Sequence, residues 1–355
     1  MADLQILART LRGLEWIAAA EVKTTLSPAH IEHGHRELRF SVPELEPLLS
    51  LGTVDDVFVI AGVVEGVDRH RESLRRLAEA EVDLARYESL LGRGGSFDVV
   101  GSFVGRRNYS RFEIEDALGA ALAGASGRRY LSRSGGEPAR GALSLRVHAV
   151  ESHATIAVRI GEVPLHRRAY RVASRPGSLH PPLARALALL AGLRPSLTLI
   201  DPFCGTGTIP IEAKLACPAL KANGSDLEPE AVEAARRNAE KAGVEVELEV
   251  RDAADMPAAD RVATNPPWEV AVRSAGRVRL DSLALPGRSV VLVPSETRLE
   301  RVALENRVRV SGAVASMLVL GDEPIDEAGL YGRELREALA LRSDLSEAAS
   351  FPTSP

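Results

Sequence analysis

Apolar and polar positions in the first half of the chain switch between two periods. LQILAR (4–9) reads as a strand. From Gly13 to Leu26, the apolar residues Leu14, Ile17, Ala18 and Val22 recur at helical spacing. ELRFSV (37–42) and DDVFVIAGVVEGV (55–67) are apolar and β-branched enough for strands. HRESLRRLAEAEVDLARYESLL (70–91) predicts one charged amphipathic helix. FDVVGSFV then predicts a strand, GRRNYSR a basic loop, and FEIEDALGAALAGA a helix ended by Gly127. ALSLRVHAV (142–150) and HATIAVRI (153–160) are two more strands.

The second half has a different rhythm. LHRRAYRVASRPGSLHPPLA (165–184) is basic and punctuated by proline, as a linker is. A helix is expected from Pro182 to Leu193, and strands and helices then alternate. SLTLI (196–200), KANGS (221–225), VEVELEV (244–250), RVATN (261–265) and SVVLVPS (289–295) are the strands. EPEAVEAARRNAEKAG (228–243) is a helix with Pro229 in its first turn and Gly243 at its end. Strands separated by helices at this pitch predict a parallel sheet with right-handed crossovers.

A chain of 355 residues predicts two or three domains. The net charge of −5 carries no global nucleic-acid signal, yet residues 91–195 hold a net +9. Two cysteines, Cys204 and Cys217, form no disulfide framework and no CxxC zinc pair. The first residues lack the order of a signal peptide, and no apolar run approaches the roughly 20 residues that span a bilayer. A cytoplasmic protein without membrane or metal partners is expected.

LIDPFCGTGTIPIEA places Asp201 at a strand end, followed by Gly205, Gly207 and a helix. Glycines admit a ligand close to the backbone, and a helix N-terminus offers N–H groups. Pro210 stands where a dinucleotide fingerprint wants its third glycine. Asp226 ends the second strand nineteen positions after Gly207, where a carboxylate accepts ribose hydroxyls, and Asp252 ends the third. Each acid alone is more often a turn or helix cap. Three at successive strand ends favour a ligand crevice.

DPFCGTGTIPIEA together with TNPPW resembles motifs I and IV of the class I S-adenosylmethionine methyltransferases that act on exocyclic amines. The resemblance implies an α/β, Rossmann-like domain with a seven-stranded, mostly parallel sheet, closed by a reversed hairpin in RVRVSGAVASMLVLG (307–321). It implies that Asp201, Gly205 and Gly207 hold the methionine part of S-adenosylmethionine, Asp226 the ribose, and Asp252 the adenine amino group. Pro202, Phe203, Thr208, Leu227, Ala253 and Asn265 would complete that site.

The stretch after the fourth strand, Asn265-Pro266-Pro267-Trp268, then has a chemical task. An exocyclic amine has its lone pair delocalised into the base. Acceptors that take its N–H hydrogens free that pair and aim it at a methyl sulfonium. The Asn265 side-chain oxygen is one such acceptor, and the Pro266 carbonyl, aimed by proline's fixed φ, is the other. Trp268 offers a face for stacking, worth about 1–3 kcal/mol per base. The bland alternative is a tight turn with Trp268 as core filler. The related enzymes usually carry Tyr or Phe at this position, commonly followed by Gly, whereas this chain has Trp268-Glu269.

Residues 1–165 resemble the N-terminal module of THUMP-domain RNA methyltransferases. ARTLRGLEWIAAAEV is similar to its opening segment, with Arg12 in place of a proline; GSFDVVGSFVGRRNYSRFEIEDALGAAL is similar to its strand, basic loop and helix. LHRRAYR matches the connector into the catalytic domain, and LSRSGGEPARG replaces the usual tail of the module. The nearest pattern in that family is the guanine-N2 enzymes of tRNA. The organisation implied is an α+β ferredoxin-like subdomain over 1–54, a THUMP-like RNA-binding domain over 55–164, a basic linker over 165–181, the methyltransferase domain over 182–345 and a flexible tail over 346–355. Arg106, Arg107, Arg111, Arg128, Arg129 and Arg133 flank one helix, and Arg167, Arg168 and Arg171 lie in the connector. Arginine pairs bidentately with phosphate, so these nine are candidate RNA contacts.

Cys204, inside the glycine loop, is expected to be a packing residue. His30, His33 and His35 lack a matching acid or cysteine pattern for a metal. GRGGS (92–96) lacks the Lys-Ser/Thr of a phosphate loop. The reading that gathers these signals is a methyltransferase acting on guanosine N2 of RNA, tRNA ahead of ribosomal RNA. Adenine-N6 or protein-glutamine methylation shares the Asn-Pro-Pro-aromatic motif. A non-catalytic RNA-binding protein with a decayed cofactor site is the alternative of another class.

Overall fold

A computed structural model describes residues 3–135, 141–268, 285–310 and 312–345. Expectations for Glu269, for part of the LSRSGGEPARG segment and for the 346–355 tail lie outside the described residues. The chain divides into two compact units, each discontinuous in sequence: Met1–Ala8, Arg39–Leu49 and Asp56–Pro164 form one; Arg9–Leu38, Ser50–Asp55 and Leu165–Pro355 form the other.

Most strands of an eight-stranded sheet belong to the first unit. Its members are β1 (Leu4–Arg9), β2 (Ile31–Gly34), β3 (Glu37–Val42), β4 (Asp56–Glu65), β5 (Ser96–Phe103), β6 (Arg129–Tyr130), β7 (Leu143–Val150) and β8 (His153–Arg159). They run in the order β2-β3-β1-β4-β8-β7-β5-β6. The single helix expected over 70–91 is two elements: a 3-10 helix over Arg71–Glu79 and an α-helix, α2 (Leu84–Leu91). In the first, the buried Leu74 and Leu77 are three residues apart, which suits three residues per turn. The chain is extended at Ala80, and Asp83 starts α2 afresh by accepting from Arg86 N at 3.1 Å. Helix α3 (Arg111–Ser126) opens with a capping box of Ser110 and Glu113 and ends at Gly127 in the left-handed region, as its sequence predicts.

In the second unit, a seven-stranded sheet consists of β9 (Thr198–Asp201), β10 (Lys221–Asp226), β11 (Glu247–Val250), β12 (Arg261–Thr264), β13 (Ser289–Pro294), β14 (Val302–Val310) and β15 (Ala313–Leu320). Its order is β11-β10-β9-β12-β13-β15-β14. The first five strands are parallel, and β15 runs antiparallel to both β13 and β14. This is the Rossmann-like class I methyltransferase fold. The helices α4 (Pro181–Leu190), α5 (Thr208–Ala216), α6 (Pro229–Ala242) and α7 (Gly332–Leu345) accompany it. The strand order reverses between β9 and β12, and the carboxyl ends of strands at such a reversal are where open α/β sheets bind ligands.

The boundary at 54 expected from sequence meets a discontinuous division. Helix α1 (Glu15–Leu26) is buried from Trp16 to Val22 without a polar face. Leu14, Trp16, Ile17 and Ala20 join a core with Leu183, Leu187, Leu292, Val308 and Met317. Trp16 Nε1 donates to Asn306 Oδ1 at 3.1 Å. Glu21, 2% exposed, accepts from the backbone N–H groups of Gly52 and Thr53 at 3.0 and 2.8 Å. Apolar burial and a satisfied buried carboxylate therefore group 9–38 and 50–55 with the catalytic half.

Candidate active site

The loop after β9 turns through left-handed glycines, with φ of +52° at Gly205 and +79° at Gly207. The two glycines are needed for different reasons. A Cβ on Gly207 would lie 2.9 Å from the Ala235 Cβ, so close packing against α6 excludes a side chain. A Cβ on Gly205 would meet no atom within 4 Å. It would enter open space, so the left-handed backbone and not packing calls for the glycine there.

Asp201 is 1% exposed; its Oδ1 accepts from Thr264 Oγ1 at 2.6 Å and from Phe203 N at 3.1 Å. Burial pushes its carboxyl up to about 7, against the two hydrogen bonds, and the nearby Asp226 charge adds to the rise. Asp226 holds the loop with one oxygen and the start of α6 with the other. Gly205 N donates to Oδ2 at 2.9 Å and Glu228 N donates to Oδ1 at 3.0 Å. The α6 N-cap is Glu228, without a side-chain cap bond. Leu227, 62% exposed, follows Asp226 as an open apolar shelf, and Pro202 and Thr208 are buried. Asp252 caps the 3-10 turn Ala253–Asp255 by accepting from Ala254 N at 2.9 Å, and Ala253 is buried.

The free N–H groups expected of the glycine loop are largely spent within the protein. Phe203 N bonds Asp201, Cys204 N bonds the Ser225 carbonyl, Gly205 N bonds Asp226 and Gly207 N bonds the Cys204 carbonyl. Cys204 packs with Ile211, Val232 and Ala235, and burial pushes its thiol well up, so it is an inert packing group.

Across the strand-order reversal, Thr264 ends β12 beside Asp201, and Asn265 follows it. Asn265 Oδ1 is buried without a hydrogen-bond partner. A buried amide oxygen left unpaired is costly and calls for an explanation, such as a ligand or a catalytic role. Pro266 is buried and Pro267 half-buried. Trp268 is partly buried against the main core of this unit, and its Nε1 donates to the Leu292 carbonyl at 3.3 Å. That bond fixes the edge of the ring.

Thr264, Asn238 and Arg175 were not visible as site residues in the sequence. Asn238 carried a faint signal, as a polar residue among the buried alanines of α6. It is 1% exposed; its Oδ1 accepts from Ala173 N at 2.9 Å, while Nδ2 donates to the carbonyls of Ala173 and Thr206 at 2.9 and 3.0 Å. The connector is thereby strapped to the glycine loop.

The nine candidate arginines divide by partner. Arg106, Arg111 and Arg129 are exposed, Arg111 lying over the Phe112 ring. Arg107 reaches the Val104 and Val67 carbonyls, Arg128 pairs with Glu88, and Arg133 pairs with the fully buried Asp98 at 2.6 Å. In the connector, Arg167 is exposed and Arg171 half-buried. Arg168 is enclosed: it bonds Glu212 Oε1 at 2.8 Å and the Leu165 and Gly52 carbonyls. Burial lowers its pKa, but the buried Glu212 charge outweighs this and raises it overall. Among the described residues, no group of three or more His, Cys, Asp or Glu could hold a metal ion, and no helix is long and apolar enough to cross a membrane.

Comparison with known proteins bears on this geometry. Residues 168–314 match the UPF0020 family, described as the RMKL-like methyltransferase domain. The tRNA (guanine(6)-N2)-methyltransferase of Thermus thermophilus is 30% identical over 249 residues, which span 67% of this chain and 71% of the relative. The chain belongs to the tRNA guanine-N2 methyltransferase family. Another such methyltransferase, from Archaeoglobus fulgidus, is 26% identical over 62% of this chain and 64% of its own. The crystal structure of TrmN from Thermus thermophilus superimposes with a TM-score of 0.71 at 27% identity, covering 90% of this chain and 99% of TrmN. A Listeria monocytogenes structure, described as a predicted N6-adenine-specific DNA methylase, has a TM-score of 0.67 at 19% identity, covering 91% of this chain and 97% of its own. At that identity the likeness concerns the fold alone. Membership of this family makes the protein a methyltransferase.

Proposed function

We propose that this protein transfers a methyl group from S-adenosylmethionine to the exocyclic N2 of a guanosine in tRNA. The observation that carries the reading is the buried, unpartnered Asn265 Oδ1 beside Asp201 at the strand-order reversal. The cofactor, when bound, supplies a methyl on a positive sulfonium that needs no further activation. The residues present fit it. Gly205 leaves the crevice wall bare, Asp226 retains acceptor capacity for ribose hydroxyls beyond its two backbone bonds, and Leu227 lies beside it as an apolar shelf.

Asn265 Oδ1 and the Pro266 carbonyl accept the two N2 hydrogens and localise the nitrogen lone pair. With S-adenosylmethionine bound, its sulfonium would supply the methyl group to that lone pair, and the N2 proton would leave to water. Positioning supplies the acceleration. Trp268 offers a π-face to the guanine while its N–H holds the ring edge on Leu292. Pro267 fixes the turn between them. Asp252 and Ala253 flank the adenine end.

RNA binding falls first to the exposed Arg106, Arg111 and Arg129, which offer guanidinium groups at the surface, with Arg167, exposed in the connector, a further candidate. Arg107, Arg128, Arg133 and Arg168 already spend donors inside the protein, and a phosphate would take only what remains. The residues 55–164 act in this reading as a THUMP-like module, and the cytoplasm is the compartment. Transfer of labelled methyl to purified tRNA, followed by nucleoside mass spectrometry, is expected to yield N2-methylguanosine. Label on adenosine, DNA or protein glutamine alone would overturn the reading.

A further inference from the structure

Arg175 lies in the connector, away from both recognised motifs. Its backbone N–H donates to Ser178 Oγ at 2.9 Å, and that hydroxyl lies 3.3 Å from Thr206 Oγ1 in the glycine loop. Its Nη2 pairs with Glu228, two residues past Asp226. The guanidinium is thus tied to the start of α6, while the backbone that carries it is linked through Ser178 to the glycine loop. Asn238 fastens Ala173, two residues away, by both its N–H and its carbonyl, and bonds the Thr206 carbonyl as well. Arg175 Nη1 is buried and has no hydrogen-bond partner. An unmet donor on a cation, in a segment tied down at both ends, points to an anion that the protein does not itself provide.

The cofactor's charges identify that anion. Its sulfonium and ammonium are cations, and Asp201, Asp226 and Glu228 supply negative charge. Its carboxylate needs donors instead. The glycine loop, the usual source, has committed the N–H groups of residues 203, 204, 205 and 207 to Asp201, Ser225, Asp226 and Cys204.

We propose that Arg175 receives the carboxylate of the methionyl part of S-adenosylmethionine through Nη1, making the connector part of the cofactor site. The inference rests on the methyltransferase reading above. Glu228 positions Arg175 by holding Nη2, and Asn238 positions the strap that carries it. A carboxylate fits Nη1 better than an RNA phosphate does, because the atom is buried and the segment is fastened to the cofactor loop.

Calorimetry with two ligands tests this: S-adenosylhomocysteine, and its decarboxylated analogue S-adenosyl-3-thiopropylamine, which keeps the ammonium. Arg175→Gln is expected to weaken S-adenosylhomocysteine about tenfold to a hundredfold, the loss typical of a charge-assisted hydrogen bond, and to leave the analogue unchanged. Arg175→Lys is expected to recover part of the loss. Glu228→Gln, which keeps the cation, is expected to preserve the preference for the carboxylate-bearing ligand. Equal weakening of both ligands means a structural role only and overturns the proposal. So does unchanged affinity for both, including the case where tRNA binding alone falls. A parent protein that binds neither ligand overturns the underlying cofactor reading instead.

Discussion

The two ends of the seven-stranded sheet carry opposite chemistry. At the carboxyl ends of β9, β10 and β12 stand Asp201, Asp226 and Asn265. At the amino ends of β9, β12 and β13 stand Arg194, Arg261 and Arg288. The arginines meet partners within the protein at their terminal nitrogens, although the Nε of each is buried without one. Asp326 pairs with Arg194 and, at 3.0 Å, with Arg261, while Arg288 donates to the carbonyls of Glu323 and Pro324. The acidic end is left incomplete, with a buried carboxyl shifted to about 7 and a buried amide oxygen without a partner. Charge by itself does not mark a site. What sets the acidic end apart is that its unmet acceptor and its shifted carboxyl lie together at the strand-order reversal.

The largest test of that contrast lies at the acidic end. Asn265→Ala is expected to lower turnover about 10²–10³-fold, the scale seen when one preorganised polar group is removed from a reacting centre. S-adenosylhomocysteine affinity is expected to stay within a few-fold, by calorimetry. A variant with parental turnover would break the positioning mechanism.

Next comes the pH dependence of Asp201. Its folded carboxyl titrates at about 7 against an ordinary value near 4. Between these values the folded chain binds a proton that the unfolded chain does not, so this group's contribution to stability falls as pH rises through the window. Asp201→Asn is expected to match the parent below pH about 4 and to be more stable by a few kcal/mol, to order of magnitude, above pH about 7. Urea midpoints across pH measure this, and a gap of the opposite sign would refute the burial argument.

At the basic end the expected loss is of stability alone. Asp326→Ala strands Arg194 and Arg261 and is expected to cost about 2–4 kcal/mol, less than a fully enclosed pair because Arg194 is open to solvent. Cofactor affinity should follow the folded fraction and nothing more. A specific loss of binding would erase the distinction between the ends. The smallest effect separates the two loop glycines. Gly207→Ala is expected to destabilise by about 1–3 kcal/mol through the Ala235 contact. Gly205→Ala is expected to cost about 1 kcal/mol in folding but to weaken S-adenosylhomocysteine more than Gly207→Ala does.

Local patterns made much of this legible. Pro229 and Gly243 marked the ends of α6, Gly127 ended α3, and strand–helix alternation gave the parallel sheet. Asp201, Asp226 and Asn265 could be named because strand ends followed by Gly, acid or Asn-Pro-Pro have few ordinary uses. The 70–91 helix was misread because its charge pattern hid the three-residue spacing of Leu74 and Leu77 and the fresh start at Asp83. The arginines were read by count, and a count cannot tell Arg106 at the surface from Arg133 on a buried carboxylate.

The amino-acid sequence by itself determined the strand order's raw material, the turn chemistry and the identities of the acceptors, since each depends on neighbours a few positions apart. Only the tertiary structure decided which partners those groups lacked. The pairing of Thr264 with Asp201 across 63 positions, the clasp of Asn238 on the connector and the exposure of each arginine arise from packing between distant segments. Burial, which sets the cost of an unmet hydrogen bond and the pKa of Asp201, exists only once those segments meet.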